Sequence, residues 1–540
     1  MNKKKKNTRG ITLIALVISI IVLLILAGVT IAALSGDNGI LTRAKEAKEK
    51  TEQAQKEEGS SLTEIEEKIN DNLKEENVEQ IYDKNPGILE QDTSNSDISI
   101  INSIEDLVVF SYNVRNGNTY EGKTIKLGVN LDFNSKRSYS NPYRTDYGQY
   151  GYDGKFIEKL NSGNGWNSIG NEINIEQNNF KGIFDGNNKS IYNLYINKQD
   201  INEERYIGFF ANNKGIIKDL SLKNIKIETS GKEQIYYFIA GIAGNNEGII
   251  SNCIVDGNYE AKGNYSLLSG ICARNQKTVE LCINKAKISG EGMYIGGIVA
   301  QNLSEIKKCE NNGEINSLKN GKYVGGITGL GYSDEPQNGN SIIEESFNKE
   351  DIFITIDKNG IHAGGIVGQA QCKIKNCYNR GNISINTETS EKESNIGGIA
   401  GLQVGEVQNC YNKNVIEIKE SDKNLKNIST GGIIGKFHQY TSKNLYSETL
   451  IKSNNAVIKG ALIGTIITEP YVKEINNLLF YGQQEAIGTN LAGVEIQCTK
   501  SEEKPAESEI MKCINIDENK FIEDTNNING GYPILYWQKK

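Results

Sequence analysis

The sequence predicts a mainly β protein: a right-handed parallel β-helix (solenoid), preceded by an N-terminal membrane-spanning α-helix and a helical stalk. Three observations predict it. Ile11 to Leu34 is an uncharged apolar run behind a basic leader, and a Lys/Glu-rich stretch follows it. Beyond residue 180 a Gly-Gly-Ile pattern then returns every 27 to 39 residues. Self-similarity at such a period is the signature of a solenoid, in which each unit buries its apolar face against the next.

The leader reads Lys3-Lys4-Lys5-Lys6-Asn7-Thr8-Arg9-Gly10. At roughly 1.5 Å per residue the helix behind it reaches about 36 Å, enough to cross a hydrocarbon core of about 30 Å. The lysines hold the cytoplasmic side and place the rest of the chain outside. A secretory signal has an apolar core of about 7–15 residues before a small-residue cleavage site. This run is longer, although Ala32-Ala33-Leu34-Ser35-Gly36 offers a weak site of that kind. The junction Arg9-Gly10-Ile11-Thr12-Leu13-Ile14 resembles the prepilin-type leader of type IV pilins and pseudopilins. That resemblance implies cleavage between Gly10 and Ile11 by a prepilin peptidase, methylation of the new amine, and packing of the retained helix against pilin-like subunits. One position departs from the pattern: the family's usual glutamate, five residues after the glycine, is Ala15 here. A plain uncleaved anchor is the alternative reading.

The net charge of −8 argues against nucleic acid as a partner, because that demands a basic footprint. Nine cysteines form an odd set without CxxC pairs, which disfavours a disulfide framework or a zinc ribbon. The reading divides the chain into a leader (1–10), a membrane helix (11–35), a charged helical stalk (36–82) and a linker (83–97). An N-terminal cap with the first β-helix turns follows (98–197), then the repeat β-helix (198–489) and a C-terminal cap (490–540). The stalk is rich in strong helix formers, with Glu46→Lys50 pairing at i,i+4. From about Ile98 helical spacing gives way to short alternating segments between Asn and Gly turns.

Each repeat is read as three short apolar segments, exemplified by Gly364-Gly365-Ile366-Val367-Gly368, Ile374-Lys375-Asn376-Cys377 and Gly381-Asn382-Ile383-Ser384-Ile385. Ile374 and Cys377 are three apart, so a flat strand would point them to opposite faces. Burying both demands a corner, and Asn376 suits one because asparagine tolerates the left-handed region. At about 4.8 Å per rung, nine repeats span on the order of 43 Å. With Cys377-Tyr378-Asn379 and Cys410-Tyr411-Asn412 these units resemble the GLUG motif over roughly residues 180–470. The resemblance implies a bacterial cell-surface setting rather than a chemistry. Array ends need covering, because a bare rung exposes strand edges. The aromatics of Gly531-Tyr532-Pro533-Ile534-Leu535-Tyr536-Trp537 are expected over the last rung.

No catalytic, cofactor or metal residues are expected. Cys253, Cys282, Cys309, Cys377 and Cys410 share one repeat position with Ser346 and Leu445, so the slot reads as small buried packing. His362 and His438 lie in neither a zinc-protease helix nor a nucleophile elbow. Asp185-Gly186-Asn187-Asn188 reads as a turn, lacking the acidic spacing of a calcium loop. The candidate contact surface is the tyrosine-rich insertion with Tyr139, Tyr143, Tyr147, Tyr150 and Tyr152, since tyrosine offers large amphipathic area at low entropy cost. An ordered loop over the cap is the plainer reading of it. The expected function is adhesion or interaction at the cell surface, with a host or environmental glycan or protein as ligand. The favoured form is a minor or tip subunit of a pilus-like filament; a tethered surface protein outside any filament and a glycan-active β-helix enzyme are the alternatives.

Overall fold

A computed structural model describes residues 90–92, 95–134 and 165–539, interrupted at 175, 233, 264, 320, 336–338, 357–358, 388–391, 421–426, 454–456, 468–471 and 517. The leader with Gly10 and Ile11, the apolar helix, the stalk and the tyrosine-rich insertion all lie outside the described residues. Among the described residues no helix is long and apolar enough to cross a membrane.

Among the described residues the coils stack into three sheets, of 27, 9 and 10 strands, parallel except where Glu90–Asp92 pairs antiparallel with Asn95–Ile101 at the N-terminal end. One coil shows the unit: strands His362–Gly364, Val367–Gln371, Lys373–Lys375, Tyr378–Asn379 and Ile383–Thr387. The first belongs to the 9-stranded sheet, the second to the 10-stranded sheet and the last three to the 27-stranded one. Five strands per coil therefore replace the three apolar segments expected. Gly-Gly-Ile is also a bend rather than a strand: Gly365 and Ile366 link two strands, and Ile366 N and Val367 N both donate to Ile399 O of the next coil. Pairing is in register from coil to coil, as in Val324, Ala363 and Ile396.

The corner expected at Asn376 is there. Asp219, Asn252, Leu281, Lys308, Glu345, Asn376, Asn409, Asn444 and Asn477 occupy it in successive coils, with φ between +49° and +58°. It lets Ile374 and Cys377 both point inward, each with no exposure. The asparagines among them also bond along the stack: Asn409 Nδ2 donates to Asn376 Oδ1 at 3.1 Å, and Asn444 Nδ2 to Asn409 Oδ1 at 2.8 Å.

Two further asparagine columns run wholly inside. Asn213, Asn246, Asn275 and Asn302 form one, each amide donating to the next side-chain oxygen at 2.8–2.9 Å and the last reaching Ser341. Asn284, Asn311, Asn348, Asn379 and Asn412 form the other, at 2.7–2.8 Å. Asn379 is typical. Its amide donates to Gly381 O and Asn412 Oδ1, and its oxygen accepts from Gly381 N and Asn348 Nδ2. A buried amide so placed leaves no polar atom unpaired.

This column explains the paired glycines. A Cβ on Gly365 would stand 2.2 Å from Asn379 Cγ and 2.2 Å from Gly398 O. The same contact recurs between Gly270 and Asn284, Gly297 and Asn311, Gly326 and Asn348, and Gly398 and Asn412. The glycine bend and the Cys-Tyr-Asn segment are thus two halves of one contact across the core.

Residues 104–115 depart from the β pattern expected after Ile98. They form helix α1 (Ile104–Arg115), whose N-cap Ser103 accepts from Asp106 N at 3.1 Å. Glu105 and Asp106 favour its first turn electrostatically. Phe110 meets Tyr120, Phe180, Phe184 and Phe210 at 5.3–6.3 Å, filling the core at the N-terminal end.

The C-terminal segment lies along the flank, not over the last rung as its aromatics were expected to. Cys498–Ser501 still extends the large sheet. Helix α2 (Glu507–Ile514), the antiparallel pair Phe521–Ile522 and Ile534–Leu535, and the turn Tyr536–Gln538 then cover an aromatic column on the outer face. Phe347, Tyr378 and Tyr411 stack in that column at 4.7 and 4.9 Å with interplanar angles of 5° and 4°. Phe521, Leu535, Tyr532, Ile510 and Ile514 bury it. Trp537 Nε1 donates to Glu345 O, and Lys520 Nζ reaches the buried Glu345 carboxylate at 2.8 Å. Tyr411 OH donates to Pro533 O at 2.5 Å.

Candidate ligand groove

Where the strands of the large sheet turn beside this C-terminal clasp, five coils present equivalent residues. Pairing brings Lys413 opposite Glu448, Asn414 opposite Thr449 and Val415 opposite Leu450. Ser447 faces Phe480, and Tyr481 faces Ser501. Arg380 and Asn382 stand one coil earlier, and Gln483, Gln484, Lys500 and Glu502 complete a groove of about 910 Å³.

The clasp fixes the charged residues. Glu448 accepts from Tyr446 OH at 2.9 Å and Tyr532 OH at 2.6 Å, and pairs with Lys413 Nζ at 3.2 Å. Partial burial alone would raise its pKa, but these hydroxyl hydrogen bonds and the ammonium hold it below the usual carboxylate range. A carboxylate held ionised in this way anchors its neighbours and is badly placed to give up a proton. Arg380 Nη1 donates to Asn529 O and to Asn529 Oδ1 at 2.9 Å. The ring of Tyr532 lies 4.7 Å from the Arg380 guanidinium, 4.5 Å from Lys413 Nζ and 4.6 Å from Lys504 Nζ. Leu450 is 52% exposed at the groove floor, beside partly exposed Val415 and Tyr481.

The repeat cysteines, His362 and the Asp185 turn lie outside the groove lining. Cys253, Cys282, Cys309, Cys377 and Cys410 form an inward column with Ser346 and Leu445, all without exposure. Their thiols donate to nearby carbonyls, as Cys377 Sγ does to Lys375 O at 3.2 Å, and burial pushes the Cys253, Cys282 and Cys377 thiols well up. All nine cysteines are free thiols. His362 stacks on Tyr323 at 5.7 Å and contacts Asn395 at 3.1 Å, and burial lowers its pKa to about 4. Asp185 to Asn188 form a turn, with Asn187 N donating to Asp185 Oδ1 at 2.7 Å. Among the described residues no group of three His, Cys, Asp or Glu is placed to hold a metal.

Sequence reasoning missed the groove because it needs Arg380, Lys413 and Tyr532 together, and 119 positions separate the last two. The signal that could have found it is the Cys-Tyr-Asn-Arg/Lys run at 377–380 and 410–413: outward tyrosines on two successive coils need a cover, and the terminal aromatics supply one.

Residues 359–384 match the GLUG motif. That stretch is the coil described above, with Gly365 and Asn379 in contact within it. Among curated proteins none matches the chain. Among solved structures, the chain is similar to one from Bacteroides ovatus described as a "putative immunoglobulin A1 protease", at 15% identity and a TM-score of 0.31. The alignment covers 83% of this chain and 94% of that one. A likeness of this size says nothing about activity.

Proposed function

We propose that the chain is an exported cell-surface adhesion or interaction protein, held at the membrane by residues 11–35 and displaying its solenoid outward. The observation that carries the reading is the flank groove, an open surface built from side chains of successive coils and locked by the C-terminal clasp. A stack whose buried asparagine columns bond from coil to coil is a stiff support for such a surface. The leader at Gly10 and Ile11 supports membrane export, and the GLUG match supports a surface setting. Within this reading the protein is non-catalytic and serves as a minor or tip subunit of a type IV pilus-like filament. A β domain of this size on every subunit would crowd a filament packed through N-terminal helices, and Ala15 removes the glutamate a bulk subunit uses.

Mass spectrometry of the mature protein from its native host tests this. The expected result is a methylated N-terminal Ile11 and a substoichiometric place in purified filaments. An intact Met1 would favour a tether outside any filament, and a position as the main filament component would overturn the minor-subunit reading.

A further inference from the structure

The lining of the flank groove points to the class of ligand it takes, and we propose that it binds a carboxylated sugar, such as a uronic or sialic acid residue within a glycan. This rests on the surface-binding reading above. The argument begins with charge. The chain as a whole is acidic, at −8, yet the groove gathers Arg380, Lys413 and Lys500 against Glu448 and Glu502. Lys413 and Glu448 neutralise each other through their ion pair. Arg380 and Lys500 then leave a positive groove with Glu502 as its sole counterweight in the lining. A positive concavity on an acidic surface draws an anion.

The remaining lining narrows the anion. Val415 and Leu450 lie side by side on neighbouring coils, and Tyr481 stands on the next coil level with Glu448, two positions back along the strand; together they give the groove an apolar side on which the less polar face of a pyranose ring can lie. Gln483 and Gln484 bring amides that both donate and accept, the capacity that sugar hydroxyls require, while Asn382 is held in place by Asp351 and Val415 N. Lys500 is exposed and reaches the groove from the edge of the stack, so a carboxylate can meet it without disturbing the fold. An acidic peptide would need separate side-chain pockets or a free strand edge. Here the groove is one open surface, and the edge strand Cys498–Ser501, paired on one side, is where an acidic peptide would add, so the peptide arm of the test separates that occupant from a glycan.

The test uses the full-length chain in detergent against an array of neutral, uronate-containing, sialylated and sulfated glycans, acidic peptides and matrix proteins. Binding to uronate or sialylated glycans is expected, with the two arms separating the source of the carboxylate. Lys500→Glu should weaken it about tenfold or more, the order of one charge-assisted hydrogen bond. Leu450→Asn should weaken it through the lost apolar side, whereas Lys285→Glu, on a distant exposed site, should leave it unchanged. Both groove positions are exposed, and an unchanged far-ultraviolet circular dichroism spectrum shows that each variant is folded. Equal binding of neutral glycans, preference for acidic peptides, or indifference to Lys500→Glu would overturn the ligand class while leaving a surface-binding protein. No binding to any member of the array would overturn both.

Discussion

Gly398→Ala is expected to destabilise the solenoid by about 4 kcal/mol. The new Cβ would stand 2.0 Å from Asn412 Nδ2 and 2.1 Å from Gly432 O. Neither neighbour can yield cheaply. Gly432 O is backbone of the next coil, and Asn412 Nδ2 donates to Gly432 O, Asn414 Oδ1 and Thr449 Oγ1 at 2.6–2.8 Å. Overpacking of an ordinary core costs about 1–3 kcal/mol because side chains find other rotamers. Here coil separation has to change, which strains parallel pairing on all three sheets. Urea unfolding of the full-length chain, followed by the fluorescence of Trp537 on Phe347, reads the effect. A loss below about 1 kcal/mol would contradict the close contact between bend and amide column.

Asn379→Ala should cost nearly as much, about 3 to 5 kcal/mol, for a different reason. It removes no apolar area of consequence. It leaves Asn348 Nδ2, Asn412 Oδ1, Gly381 N and Gly381 O without the partner that Asn379 supplied, all inside the core. Each buried group left unpaired costs about 1–3 kcal/mol, partly relieved where a neighbour shifts. Asn386→Ala on the same coil, at an exposed site, should change stability by less than about 0.5 kcal/mol. The same urea titration compares the two. Equal effects would show that the column does not hold the coils together.

The solenoid was legible because its period is local. Glycine pairs, inward isoleucines and an asparagine at a corner all lie within one repeat, and Asn376 with φ +54° sits where two inward residues three apart demand it. What the repeat alone hid was cooperation between coils. Asn379 in isolation reads as a turn residue, and its role emerges only when Asn348 and Asn412 stack on either side. Helix α1 was hidden differently. Val108, Val109 and Val114 carry β preference, and burial of the helix, with Phe110 packed against Phe180, Phe184 and Phe210, outweighs it once Ser103 caps the first turn. The clasp and groove join residues more than a hundred positions apart, as in Tyr411 with Asn529 and Pro533. No periodicity reports such a contact.

Outward display of the solenoid is the central claim, and the thiols measure it directly. Of the nine cysteines, eight are buried and Cys498 alone is exposed. A membrane-impermeant maleimide applied to intact cells of the native host should label the protein once per chain, and Cys498→Ser should abolish the label. The eight others should react only after denaturation. Labelling of Cys498 that appears only when the cells are lysed would place the solenoid inside and contradict the account.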